Sequence, residues 1–258
     1  MAIHPTAIVD SSADISPDAE IGPYCIVGAN VSIGARTRLL ANVYTEGKLT
    51  IGEDNVFYPY SSVGTTPQDK KYKGEASETQ IGNRNNIREF VTIHRGTEGG
   101  GMVTRIGDDN LLMAYVHIAH DVQVQNHTIL ANGVTFAGHV IVEDYVNIGG
   151  LTAVHQFTRI GRHAIVGSRS VIKQNVLPYS ITASDHAVEV YGANRIGMER
   201  AGFAASNIET LQNAFRILTR AGLNTTQALA RIEEELPRTD ELDILVAFIR
   251  SSHGGFTK

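Results

Sequence analysis

Every sixth residue from Ile106 to Ile172 is apolar: Ile106, Leu112, Ile118, Val124, Leu130, Phe136, Val142, Ile148, Val154, Ile160, Val166 and Ile172. Four places after most of these stands a small or β-branched residue, among them Val116, Val122, Thr128, Val134, Val140, Thr152, Ala164 and Ser170. A period of six fits neither a lone helix nor an alternating strand, and a short fixed repeat marks a solenoid. In a parallel β-helix three hexads close one triangular coil. Residues eighteen apart then stack along the axis at about 4.8 Å.

The frame begins at Ile3 and runs through Val9, Ile15, Ile21, Val27, Ile33 and Leu39; Thr45 weakens it, and Ile51, Phe57 and Val63 restore it. Glycines follow many of these positions, as in Ile21-Gly22 and Ile33-Gly34, and glycine at a coil corner permits positive φ and close backbone approach. Two interruptions break the rhythm. Residues 64–80 are polar and offer no core positions, and residues 94–105, with Gly99-Gly100-Gly101, shift the register by one. Loops that leave a rigid scaffold often carry function. The hexads amount to between eight and nine coils, a prism roughly 40 Å long.

Near Pro178 the pattern becomes helical. Ser206 and Glu209 have capping-box spacing, followed by Ile208, Leu211, Phe215 and Leu218 on one face and Gly222 as the stop. A second helix is expected from Thr225 or Thr226 to Leu236, before Pro237, and a third from Asp240, with Leu242, Leu245, Val246 and Ile249 on one face. The expected organisation is a β-helix over residues 1–180 and a helical domain over 181–258. Helices can cover one open end of the prism, and its flat faces favour self-association about a threefold axis.

The net charge of −5 provides no basic field for nucleic acid or a membrane surface. Cys25 is the only cysteine, which excludes a disulfide framework and a cysteine-built zinc site. The N-terminal segment has no basic stretch leading into an apolar run, and no run of eighteen apolar residues occurs. The expected setting is the reducing cytoplasm, with no stable membrane insertion.

The eighteen-residue ruler also sorts the polar positions. His120, Gly138 and Gln156 form one column; Asp121, His139 and Phe157 form the next; Ala119, Ala137 and His155 lie on the other side, with His117 just before. Imidazole titrates near neutrality and suits general-base work, and a neighbouring carboxylate fixes its tautomer. Asp121 is placed for that part beside His120. Gly138, lacking a Cβ, allows close approach and offers its N–H to an oxyanion. No serine or cysteine pairs with this histidine, so direct transfer is favoured over a covalent enzyme intermediate. A metal held by His117, His120 and His139 is the competing reading, weakened because flanking side chains on a strand point to opposite faces. Asp69 with Lys70, Lys71 and Lys73 can hold hydroxyls and phosphates, and Arg195, Arg200, Arg216 and Arg220 can receive an acidic partner.

Six segments resemble the UDP-N-acetylglucosamine acyltransferases of lipid A synthesis: TPQDKKYKGE at 66–75, IREFVTIHRGT at 87–97, MAYVHIAHDV at 113–122, AGHV at 137–140, VHQF at 154–157 and GAN at 192–194. The resemblance covers nearly the whole chain. It implies a left-handed parallel β-helix with a C-terminal α-helical domain, assembled as a homotrimer with active sites between subunits. It implies transfer of a 3-hydroxyacyl group from acyl carrier protein to the 3-hydroxyl of UDP-N-acetylglucosamine, without cofactor or metal. By motif position His120 resembles the general base, Asp121 its orienting acid and Gly138 the oxyanion donor. His117, His139, His155 and Gln156 correspond to substrate-positioning residues. Gln68, Asp69 and Lys71 correspond to the loop on the sugar and acyl chain, and Asn194 and Arg200 to the nucleotide-binding segment.

Ile196 and Ala201 stand where relatives commonly carry an acid and a second basic residue. Ser168-Arg169 replaces a small, often glycine-containing segment that bounds the acyl pocket, which argues for a shorter chain. Two alternatives are an N-acyltransferase acting later on a UDP-glucosamine and a binding β-helix without chemistry.

Overall fold

The computed structural model describes residues 2–184 and 188–258. Among the described residues, three sheets of eleven, nine and eight strands, parallel except for the last pair of the first, form the sides of a prism. Most strands are two residues long, as in Leu111–Leu112, His117–Ile118 and Gln123–Val124. The eighteen-residue step holds throughout the central coils: Leu112 pairs with Leu130, Ile118 with Phe136 and Val124 with Val142. The nine and eight strands of the second and third sheets match the expected coil number. The fold is a left-handed parallel β-helix with a helical C-terminal region.

The hexad positions form the core. Leu112, Ile118, Leu130, Phe136, Val142, Ile148, Ile160 and Ile172 are all 0% exposed, as are Val116, Val122, Val134 and Val140 of the second series. Burying such a side chain contributes about 1.5–3 kcal/mol, and the rigid column it builds fixes whatever protrudes at the corners. Ile3, in the first coil, remains exposed because no coil covers it.

Positive φ falls mostly on residues other than these glycines. Gly22 and Gly34 do not adopt it; a Cβ there would run into the backbone of the next coil, so these glycines serve close approach alone. The left-handed corner positions are instead Tyr60, Phe90, Tyr115, Asp121, His139 and Phe157, among others. Each non-glycine there costs roughly 1–2 kcal/mol, offset by axial stacking: Tyr60 on Phe90 at 5.2 Å and Phe90 on Tyr115 at 4.9 Å between centroids.

The two excursions are shorter than their polar sequences imply. Pairing persists to Thr65 and resumes at Glu78, and it persists to His94 and resumes at Val103. Thr79, inside the first polar stretch, is a fully buried inward position paired with Leu49 and Thr104. The one-residue register shift appears as the twenty-five-residue steps from Ile81 to Ile106 and from Ile93 to Ile118.

Past the hexads, Ser180–Ser184 and Val188–Ala193 pair antiparallel and extend the first sheet. Four helices follow: α1 (Arg195–Arg200), α2 (Ala205–Arg220), α3 (Thr225–Glu235) and α4 (Asp240–Ser251). The capping box expected at Ser206 is absent, because α2 starts earlier. Ala204 is its N-cap, without a side-chain bond, and the Ser206 hydroxyl turns to Asn207 Oδ1 at 3.4 Å. Phe203 sets the entry, packing edge-on to His163 at 5.0 Å. The capping box lies at α3 instead, between Asn224 and Gln227. The chain end returns to the prism, with Thr257 N–H donating to Asn175 O at 2.9 Å. Arg159 joins the two parts: it pairs with buried Glu143 and lies 4.5 Å over the Phe248 ring of α4. Among the described residues no helix is long and apolar enough to cross a membrane.

Candidate active site

Loop and corner residues enclose a cleft of about 710 Å³, lined by Gln68, Asp69, Lys71, His94, His117, His120, Gly138, His139 and Gln156, with Ala119, Thr135, Ala137 and Phe157. Most of the predicted site residues therefore meet in one place. A groove of about 780 Å³ between α3 and α4 has Glu233, Arg238, Asp243 and Arg250 on its walls. Those charges are spent on each other, Arg250 with Glu233 at 2.8 Å and Arg238 with Asp243 at 2.9 Å.

His117 belongs to the strand His117–Ile118, while His120 and Asp121 follow at the corner. The left-handed φ of +62° at Asp121 brings its side chain beside that of its neighbour, where an extended strand would separate them. His120 Nδ1 lies 2.8 Å from Asp121 Oδ2. His139, one coil on, also faces this carboxylate, but at 3.8 Å, beyond hydrogen-bond range. The Asp121 side chain is fully buried. Both its oxygens are occupied by donors, Oδ1 by Thr97 N–H at 2.8 Å and Oδ2 by Thr97 Oγ1–H at 2.5 Å and by His120. His120 and Asp121 are thus joined by a hydrogen bond, and His139 stands beside the pair without one.

Gly138 sits directly against the His120 ring. A Cβ at this position would meet Nε2 at 2.7 Å and Nδ1 at 3.0 Å. Only a residue without a side chain lets the coil pass this close. His139 is edge-on to His120, with 5.1 Å between centroids, and stacks flat on Phe157 at 4.5 Å.

The loop 66–77 folds over the cleft and is tied at its root. His94 Nδ1 contacts Thr66 O at 2.6 Å, and Arg95 donates to Thr66 Oγ1 at 3.0 Å and to the Tyr72 hydroxyl at 3.2 Å. Burial lowers the pKa of His94, His117 and His139. His117 falls to about 4, by burial first and then by repulsion from His94, whose ring centroid is 5.2 Å away. These three imidazoles are neutral at pH 7 and can hydrogen-bond a substrate without adding charge.

His94 was not among the predicted site residues. The twenty-five-residue step across the second interruption places it in the column of Ala119 and Ala137, a signal hidden while only steps of eighteen are counted. Thr97 had no sequence signal beyond its presence in the 87–97 segment. Some predicted residues lie outside the cleft. His155 is exposed, with Nδ1 3.2 Å from Gln156 O. Ser168 and Arg169 are exposed at a different corner. Arg200 is exposed at the end of α1. Asn194, expected to meet a nucleotide, is 4% exposed and caps α1: Oδ1 accepts from Gly197 N–H at 3.0 Å, and Nδ2 donates to His163 O at 2.8 Å.

A hexapeptide β-helix carrying a His-Asp pair at one corner of a loop-covered cleft defines a hexapeptide-repeat acyltransferase. Family models agree: "Bacterial transferase hexapeptide (six repeats)" matches residues 104–138, and "Udp N-acetylglucosamine O-acyltransferase; Domain 2" matches residues 175–257. The chain is 46% identical over 256 residues to the acyl-(acyl-carrier-protein)–UDP-N-acetylglucosamine O-acyltransferase of Thermodesulfovibrio yellowstonii, covering 99% of each. Its counterpart in Syntrophobacter fumaroxidans is 43% identical, again with 99% of each covered. The solved UDP-N-acetylglucosamine acyltransferase of Bacteroides fragilis superposes with a TM-score of 0.97 at 37% identity, covering 99% of this chain and 100% of that one. The chain belongs to the UDP-N-acetylglucosamine O-acyltransferase family.

Proposed function

We propose that the protein transfers a 3-hydroxyacyl group from acyl carrier protein to the 3-hydroxyl of UDP-N-acetylglucosamine, the first step of lipid A synthesis, with His120 as general base. The observation that carries this reading is the 2.8 Å contact of His120 Nδ1 with Asp121, which leaves Nε2 at the cleft beside Gly138. Nε2 takes the proton of the sugar hydroxyl as its oxygen attacks the thioester carbonyl. The carbonyl oxygen becomes the tetrahedral oxyanion, which the Gly138 N–H is proposed to receive. Among the described residues no acceptor takes that N–H. The C–S bond then breaks, the His120 imidazolium returns its proton to the leaving thiolate, and the ester remains on the sugar. Asp121 stabilises the imidazolium in between. Gln68, Asp69, Lys71, His117, His139 and Gln156 are proposed to position the substrates.

We infer a homotrimer in which a neighbouring copy completes each site. This accounts for the predicted residues that lie outside the cleft of one chain, namely His155, Ser168, Arg169 and Arg200. The exposed Arg216 and Arg220 share a face of α2 suited to an acidic carrier protein. With a carrier-protein thioester as donor, the proposed setting of the reaction is the cytoplasm.

Incubating the protein with UDP-N-acetylglucosamine and acyl carrier proteins loaded with 3-hydroxyacyl chains of several lengths tests this reading. An alkali-labile ester on the sugar is expected. An alkali-stable amide formed only on a 3-amino or glucosamine acceptor, or no product with any donor, would refute it.

A further inference from the structure

The excursion between His94 and Val103 has no part in the reaction as described, yet it is built around one carboxylate. Thr97, 5% exposed, gives both its donors to Asp121, N–H to Oδ1 at 2.8 Å and hydroxyl to Oδ2 at 2.5 Å. Thr97 O in turn accepts from Gly100 N–H at 3.1 Å and Met102 N–H at 2.9 Å, which closes the turn on itself. The glycines have separate uses. A Cβ on Gly100 would strike the Asp121 carboxyl carbon, and Gly101 ends the turn with φ +86°. From the other side, Thr104 Oγ1 accepts the Asp121 N–H at 2.8 Å.

We propose that Thr97 is a positioning residue for the acyl transfer: its paired donors hold the Asp121 carboxylate on His120 Nδ1 and away from His139. The proposal rests on the reading of His120 as base. An ionised carboxylate only accepts hydrogen bonds. With Thr97 donating to both oxygens, His120 must also donate from Nδ1, and the lone pair of Nε2 is left for the sugar hydroxyl. The Thr97 hydroxyl shares Oδ2 with His120 and so withdraws part of the negative charge that the imidazolium would feel. It therefore sets how much of the carboxylate charge faces His120, as well as where the carboxylate points. Among the described residues, the titratable and charged groups around the pair include His94 and His117 on the neighbouring strands, Arg95 beside His94, His139 on the next coil, and Asp69 and Lys71 on the 66–77 loop.

Thr97→Val keeps the shape and the N–H but removes the hydroxyl; Thr97→Ser keeps both donors. Oδ2 is then left to His120 alone in the valine variant, the imidazolium is favoured, and the acid limb of kcat should move to higher pH. The expected loss for Thr97→Val is about tenfold at pH 7, mostly recovered by pH 9, with KM for UDP-N-acetylglucosamine unchanged. Thr97→Ser should follow the unmodified enzyme. Added to Asp121→Asn, Thr97→Val should have no further effect on the limb, since the charge it modulates is gone. An unchanged profile in Thr97→Val, or an equal loss at every pH that serine does not rescue, would overturn the proposal. His120→Ala in the same series separates the two ideas: if it keeps near-full turnover, the base assignment itself has failed, whatever Thr97 does.

Discussion

The imidazole of His120 rests against the bare α-carbon of Gly138, so that a β-carbon on residue 138 would lie 2.7 Å from Nε2 and 3.0 Å from Nδ1. Gly138 does not have positive φ, so alanine is not excluded by the backbone. What gives way in Gly138→Ala is the His120 ring. A displacement near 1 Å at a reacting group costs on the order of 10²-fold in rate. Gly138→Ala should therefore lose about that much turnover while its thermal unfolding stays close to that of the parent. Calorimetry together with steady-state kinetics checks both halves, and full activity in the folded variant would show that the ring does not need this space.

The regular parts of this molecule were legible because they repeat. One apolar position per hexad, read from Ile106 to Ile172, specifies sheet register and core, since each side chain faces the same axis as its neighbour eighteen residues on. The same ruler brought His120, Gly138 and Gln156 together. It failed where the step changed. His94 escaped notice because the excursion lengthens its step to twenty-five, and Thr79 looked like loop because its inward face is a threonine. The start of α2 was misread because Phe203, packing on His163, outweighs the local capping preference of Ser206. Thr97 could not be found by spacing, as its bond to Asp121 depends on the fold of an irregular turn.

Buried neutral histidines link stability to pH. The His117 pKa lies at about 4 in the folded chain against 6.5 when unperturbed, chiefly through burial. Between these values the unfolded chain binds a proton that the folded chain refuses, so stability present above pH 6.5 is lost as pH falls towards 4. For a shift of this size the loss is on the order of 3 kcal/mol. Unfolding in denaturant at pH 7.5 and at pH 4.5 should show a fall of that order, and His117→Gln should flatten it. An equal fall in the variant would assign the effect to other groups, His94 and His139 first.

Assembly is the next expectation. The site of a single chain leaves His155, Ser168, Arg169 and Arg200 outside the cleft, and the prism has flat, extended faces. Sedimentation equilibrium at micromolar concentration should give three times the chain mass. Mixing a His120→Ala chain with an Arg200→Ala chain should recover part of the activity in the mixed trimers. A monomer with full activity would remove the shared site.

His120 is proposed to take the proton of the attacking hydroxyl, oriented by Asp121 at 2.8 Å. A positioned base contributes about 10² to 10⁴-fold, and the remaining cleft residues are proposed to hold the sugar nucleotide. Single-turnover acyl transfer by His120→Ala, with saturating UDP-N-acetylglucosamine and acyl carrier protein thioester from pH 5 to 9, measures this most directly. The expected rate is lower by about 10² to 10⁴-fold, with the acid limb of the profile abolished and UDP-sugar binding little changed. A near-parental rate with an unshifted pH profile would contradict the account and pass the role of base to His139.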